Sequence, residues 1–111
     1  MKQLSAMVNF FKNFLRRKPK RIPDTEIWDL DYALAEWLVP RLKRLRDESH
    51  GHPADITMKM WKQRLSIMIE GFSFVLSDDY HSLVGLHNKI GREKLDLALQ
   101  ILKDNYQSLW D

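Results

Sequence analysis

The chain has 111 residues, no cysteine, 44% hydrophobic residues and 30% charged residues. That balance fits one globular domain burying roughly two-thirds of its unfolded surface. It excludes a disulfide framework, thiolate metal ligation and a disordered chain. Net charge is +3, yet residues 1–22 hold seven cations and no acid, which leaves eleven cations against fifteen acids in the other 89 residues.

A basic arm therefore precedes a mildly acidic body, and the high pI describes the arm rather than a nucleic-acid-binding domain. No apolar run approaches the roughly 20 residues that cross a bilayer. Two regions are expected: an amphipathic basic helix with its linker over 1–22, and a helical bundle over 23–111.

Residues 3–17 predict the first helix. Leu4, Met7, Val8, Phe11, Phe14 and Leu15 recur at helical spacing and make one apolar stripe. Arg16, Arg17 and Lys18 suit its C-terminus, and Pro19 stops it. "KPKRIPD" follows as an extended linker, because each proline disfavours helix in the residue before it. Such a helix can pack on its own body or on a second copy, dock in a partner's groove, or lie on a membrane surface through residues 1–18. Its phenylalanines Phe10, Phe11 and Phe14 are candidate interface residues.

Residues 25–48 predict the second helix, capped by Asp24 or Thr25. At about 100° per residue, Ile27, Leu30, Leu34, Trp37, Leu38 and Leu45 gather on one side. Trp28, Tyr32, Ala35 and Val39 gather on the other. A helix apolar on two flanks is expected to be enclosed by neighbours or by another subunit, so Trp28, Tyr32 and Val39 are further interface candidates. Pro40 falls in the polar wedge with Glu36. It removes the hydrogen bond to the Glu36 carbonyl and is expected to bend the helix there.

Arg41 falls inside the main apolar stripe, where a lone guanidinium is costly to bury. It is expected either to pair with an acid on another helix, such as Glu70, or to face a ligand. With Lys43, Arg44 and Arg64 it forms the candidate set for holding a phosphorylated small molecule. A solvated face is the competing reading for those cations. His50 and His52 flank Gly51, and His81 and His87 follow later, but no recognised metal spacing occurs. The expectation is exposed turn histidines and no metal. Asp78, Asp79 and His81 lack a nucleophile in context, and no phosphate loop or nucleophile elbow occurs. No catalytic residue and no cofactor is expected.

Gly51 and Pro53 make a turn, and Asp55 or Thr57 caps a third helix running to about Ser77. Met58, Trp61, Leu65, Met68, Ile69, Phe72 and Leu76 keep its three-four spacing. Gly71 weakens that helix by roughly 1 kcal/mol, which suggests a close approach by another helix. Residues 77–91 lack a period and predict a loop with at most one short turn. Residues 92–109 predict the last helix, with Leu95, Ala98, Leu99, Leu102, Tyr106 and Leu109 on one face. The class is all-α: three longer helices and a detachable first one.

Several of these residues form a pattern: W-x-L-D-x-x-x-A-x-W-x-x-P-R-L-K-R over 28–44, G-x-P over 51–53, M-I-x-x-F over 68–72, and the terminal S-L-W-D. This pattern resembles small proteins of tailed bacteriophages and prophages, and covers about half the chain. The resemblance implies a phage origin and action in a host bacterial cytoplasm, peripheral to the membrane if the arm binds lipid. It carries no catalytic residue.

The sequence thus predicts a non-enzymatic protein that oligomerises or binds a host protein, in takeover or counter-defence. The alternatives are sequestration of a phosphorylated molecule such as a signalling nucleotide, and a membrane-surface adaptor. Nucleic acid is not an expected partner, because the aromatic and basic interleaving that stacks on single strands is missing.

Overall fold

The computed structural model of the chain describes residues 21–110. They form α1 (Asp24–Trp28), α2 (Leu30–Glu48), α3 (Met58–Val75) and α4 (Leu86–Asn105), with short 3-10 turns at Asp78–His81 and Tyr106–Ser108. No strand occurs among the described residues, so they are all-α. The arm's predicted helix and Phe10, Phe11 and Phe14 lie outside the described residues.

α3 is the axis of the fold. Trp61, Leu65 and Met68 are fully buried along it, and Ile69, Phe72 and Val75 nearly so. Complete burial of such side chains stabilises by roughly 1.5–3 kcal/mol each. The Thr57 hydroxyl accepts the Met60 N–H at 3.2 Å, so the expected cap forms. The neighbours run antiparallel to α3 on either side. Arg46 of α2 reaches Ser66, while Arg64 meets Asn105 and Glu70 meets Lys94 on α4. α2 and α4 stand apart, with no backbone approach closer than 8 Å between their α-carbons. Three antiparallel helices thus make an open trough, with α3 at its base.

The α3–α4 crossing depends on two glycines. A Cβ on Gly71 would overlap the Ala98 side chain and the Lys94 carbonyl. A Cβ on Gly91 would overlap the Phe74 ring. The expected close approach at Gly71 is therefore present, and Gly91 supplies a second.

Three expectations need correction. The second helix does not run unbroken from 25: Asp29, at φ −122° and ψ 55°, separates α1 from α2. The last helix begins at Leu86 rather than 92, because Gly85 at φ +112° turns the chain into it and Gly91 lies within it. Third, the stripe expected to lead the packing of α2 is largely outside. Ala35, Val39 and Leu42 are buried, Leu38 and Leu45 are half-buried, and Ile27, Leu30, Leu34 and Trp37 are exposed. The cause is that, among the described residues, α3 is the one long helix that packs on α2. Pro40 and Glu36 are both exposed, so the carbonyl that proline deprives of its donor faces solvent.

Gly71→Ala should destabilise the protein by about 1–3 kcal/mol through overpacking, outweighing the roughly 1 kcal/mol it adds in helix propensity. Gly51→Ala, which meets nothing within 4 Å, is the control and should be nearly neutral in urea unfolding. Trp61 tests the core differently: its buried indole N–H has no hydrogen-bond partner. Trp61→Phe should therefore be much milder than the roughly 3–5 kcal/mol expected of Trp61→Ala.

Candidate functional site

Two surfaces stand out because the described residues leave more large apolar side chains exposed than they bury. Contiguous exposed apolar surface on a small protein marks an interaction site.

The first surface is the trough. It is a groove of about 680 Å³ with Phe72 at its base. Leu34, Trp37, Leu38 and Leu45 line its α2 wall; Leu99, Leu102, Tyr106 and Leu109 line the wall formed by α4 and the turn after it. Arg41 is the cation in this lining. Its guanidinium lies 4.1 Å from the centroid of the Trp37 indole and donates to the Trp37 carbonyl at 2.7 Å. Both contacts join neighbours four apart on one helix, so Arg41 is held flat along the wall with its charge still exposed.

The expected pair between Arg41 and Glu70 does not form. Glu70 bonds Lys94 at 2.5 Å across the α3–α4 seam. Arg44 pairs with Glu48 at 2.5 Å along α2, and Arg46 pairs with Asp47, which holds the Asp47 carboxyl below its ordinary value. Arg64 donates to Asn105 Oδ1 at 2.9 Å. Lys43 is exposed. Of the four cations proposed to hold a phosphate, only Arg41 faces the groove. The residue spacing could not show this, because Arg64 belongs to the α3–α4 seam.

The second surface is the end of the bundle that holds α1, the start of α2 and the loop before α4. Trp28 is 75% exposed, Leu83 90%, and Leu30, Val84 and Leu86 are also exposed. Tyr32 is exposed beside them in sequence. Val39, named with these as an interface candidate, is instead 5% exposed and belongs to the core cluster. The wheel put it beside Trp28, but α3 covers the middle of α2 and not its beginning.

A polar network holds this end together. The Tyr80 hydroxyl donates to Asp31 Oδ2 at 2.7 Å, tying the turn after α3 to the first turn of α2. Arg92 donates to the Tyr80 carbonyl at 3.2 Å, and its guanidinium lies 5.5 Å from the Tyr80 ring centroid. The Asn88 amide bonds the carbonyls of Asp79 and Ser82 and accepts from Arg92. These contacts account for the buried Asn88 and fix the exposed Leu83 and Val84 in place. Sequence reasoning missed them: Asp31 and Tyr80 are 49 residues apart, and although Asp31 is the aspartate of the W-x-L-D pattern, nothing in that pattern names its partner.

Asp78, Asp79, His81 and His87 are exposed around that turn. His52 and His50 are exposed in the connection before α3, where the His52 ring nitrogen lies 2.8 Å from the Pro53 carbonyl. Among the described residues no cluster of three or more His, Asp or Glu side chains could hold a metal. No described helix is long and apolar enough to cross a membrane.

Comparison of the chain with protein-family models, with curated proteins and with solved structures gives no match.

The Tyr80 bond, followed by the Tyr32 N–H, lowers the Asp31 carboxyl below its ordinary 3.8. The same bond, with burial, raises the Tyr80 phenol above 10.0. A depressed carboxylate contributes stability above its unfolded value and loses it as pH falls through the folded one. Tyr80→Phe should therefore be less stable than the parent at pH 7, with the gap narrowing in thermal melts below about pH 4. A gap constant from pH 7 to pH 3 would show that the bond does not couple to folding.

Proposed function

We propose that the protein is a non-enzymatic accessory protein that acts by binding another protein, with the α1 end of the bundle as its docking face. The observation that carries this reading is the number of large side chains left exposed at that end, Trp28 and Tyr32 among them. Tryptophan and tyrosine are the side chains that most often dominate binding energy when a partner encloses them. Tyr32 stands in the first turn of α2, which the Asp31–Tyr80 bond fixes, and Trp28 ends α1 just before it, so part of the face is ordered before association.

The charge around the face limits the partner. Residues 22–40 carry five acids (Asp24, Glu26, Asp29, Asp31 and Glu36) and no cation. All five are exposed. A partner surface with an apolar pocket rimmed by lysine and arginine complements it. The resemblance to tailed-phage proteins supplies the setting: a protein of the host bacterium, bound in its cytoplasm during takeover or counter-defence. Association of the chain with itself through the same face is the second form of this reading. Sequestration of a phosphorylated ligand gains no support, since Arg44 and Arg64 are engaged elsewhere.

Trp28→Glu and Leu83→Glu alter side chains that stand mostly in solvent, so both variants should keep the parent's thermal midpoint. Each should lose the complex recovered from host lysate, or the self-association seen by light scattering, by tenfold or more. A parent chain that stays monomeric and recovers no partner, or variants that bind as well as the parent, would remove the proposal.

A further inference from the structure

The outer face of α3 is a third surface, apart from the trough and from the α1 end. We propose that it receives the α1 end of a second copy of this chain, so that the protein associates head to tail. The proposal rests on the reading of the α1 end as a docking face, and it names the surface which that face meets when the chain binds itself.

Position comes first. Met58 and Ile67, both half-buried, give apolar surface to a shallow groove of about 770 Å³ along the N-terminal half of α3. Lys59 and Lys62 stand in the same groove, exposed. The α1 end lies past the other end of α3, where the turn after Val75 carries Tyr80 to Asp31. From Met58 to Val75 the helix is about 26 Å long. The two surfaces therefore do not overlap, and one copy can dock on a neighbour while another docks on it.

Charge names the occupant. Arg46 of α2 reaches Ser66 in the groove at 3.4 Å. Lys43 and Lys62 both help to lower the Asp47 carboxyl. α2 thus adds two cations to the side that holds Lys59 and Lys62. The acids nearby are Asp47, already paired with Arg46, and Asp55 in the connection before α3. At the α1 end the balance is reversed. The five exposed acids of residues 22–40 are joined there by Asp78 and Asp79, against Arg21, Lys89 and Arg92.

The apolar parts match as well. The α1 end calls for an apolar pocket rimmed by cations, and the α3 groove is one. Methionine adapts its shape to an aromatic ring and gains from the sulfur contact, which suits Met58 to the 75% exposed Trp28. Two α1 ends set face to face would oppose five acids to five, and two α3 faces would oppose lysines to lysines. Like charges directly opposed are costly. The crossed pairing brings unlike charges together. A contact of this heterologous kind leaves one face and one groove open at the ends of every assembly, so it continues into a chain or closes into a ring. A second copy and a host protein then compete for the same face.

Light scattering on the full chain at low ionic strength should show a mass that rises past the dimer with concentration and falls toward the monomer in high salt. Lys59→Glu with Lys62→Glu should weaken self-association tenfold or more, as should Trp28→Glu, each with the parent's thermal midpoint. Mixed, these two variants should form a one-to-one heterodimer that grows no further, because one keeps the face and the other keeps the groove. Lys103→Glu, exposed on α4, should associate as the parent does.

A parent chain that is monomeric at every concentration would overturn the proposal. So would a double lysine variant that associates as well as the parent, or a mixture that yields no heterodimer. Host capture reads the docking face separately. The double lysine variant should still recover a host partner, and Trp28→Glu should not. A monomeric parent that recovers a partner through Trp28 removes the head-to-tail contact and leaves the docking face standing.

Discussion

The close crossing of α3 and α4 at Gly71 and Gly91 is the constraint from which the rest of the architecture follows. Where neither glycine presents a Cβ, Ala98 and the Lys94 carbonyl can lie directly against one helix and the Phe74 ring against the other. Polar pairs brace the seam, Lys94 with Glu70 beside the Gly71 crossing and Arg64 with Asn105 at the C-terminal end of α4. A helix pair this tight leaves the third member no room between them. α2 packs instead on the remaining flank of α3, through Ala35, Val39 and Leu42. The trough is what remains once α2 and α4 have each claimed a side of α3. Its apolar lining is an outcome of helix geometry, because the stripes of α2 and α4 are wider than one neighbour can cover.

The same geometry explains what could be read from the residues and what could not. α3 was legible almost to the residue, because a helix covered on two sides keeps its apolar spacing without exceptions and Thr57 caps it. α4 was legible in its second half only. Gly85 and Gly91 look alike in a sequence, yet one turns the chain at positive φ and the other admits a phenylalanine ring inside a helix. Only the position of Phe74 separates those roles.

On α2 the two apolar flanks were correctly found, but a wheel has no knowledge of neighbours. It could not say that the Ala35 and Val39 flank goes inward while Leu34 and Trp37 stay out. Arg41 misled for a related reason. A guanidinium in an apolar stripe signals burial only if the stripe is buried, and here it lies flat on Trp37 in the open wall. The candidate docking face was legible in part. Trp28 and Tyr32 stood out for their size on a helix expected to be enclosed, and both are exposed. What the residues could not convey is that the loop carrying Leu83 and Val84 comes to the same end. That depends on Tyr80 reaching Asp31, and on Asn88 and Arg92 gripping the turn from α4. Polar contacts of this kind leave no periodicity. Within residues 77–91, Tyr80 and Asn88 turn inward to hold the loop, while Asp78, Asp79 and His81 stay in solvent.

The uneven charge of the chain now has a structural counterpart. Its five most N-terminal acids lie on α1 and α2 or between them, immediately after the run of five cations at residues 16–21. Exposed ion pairs contribute little each and weaken with salt, so these five exposed acids bear on association through their summed field rather than on the stability of the fold.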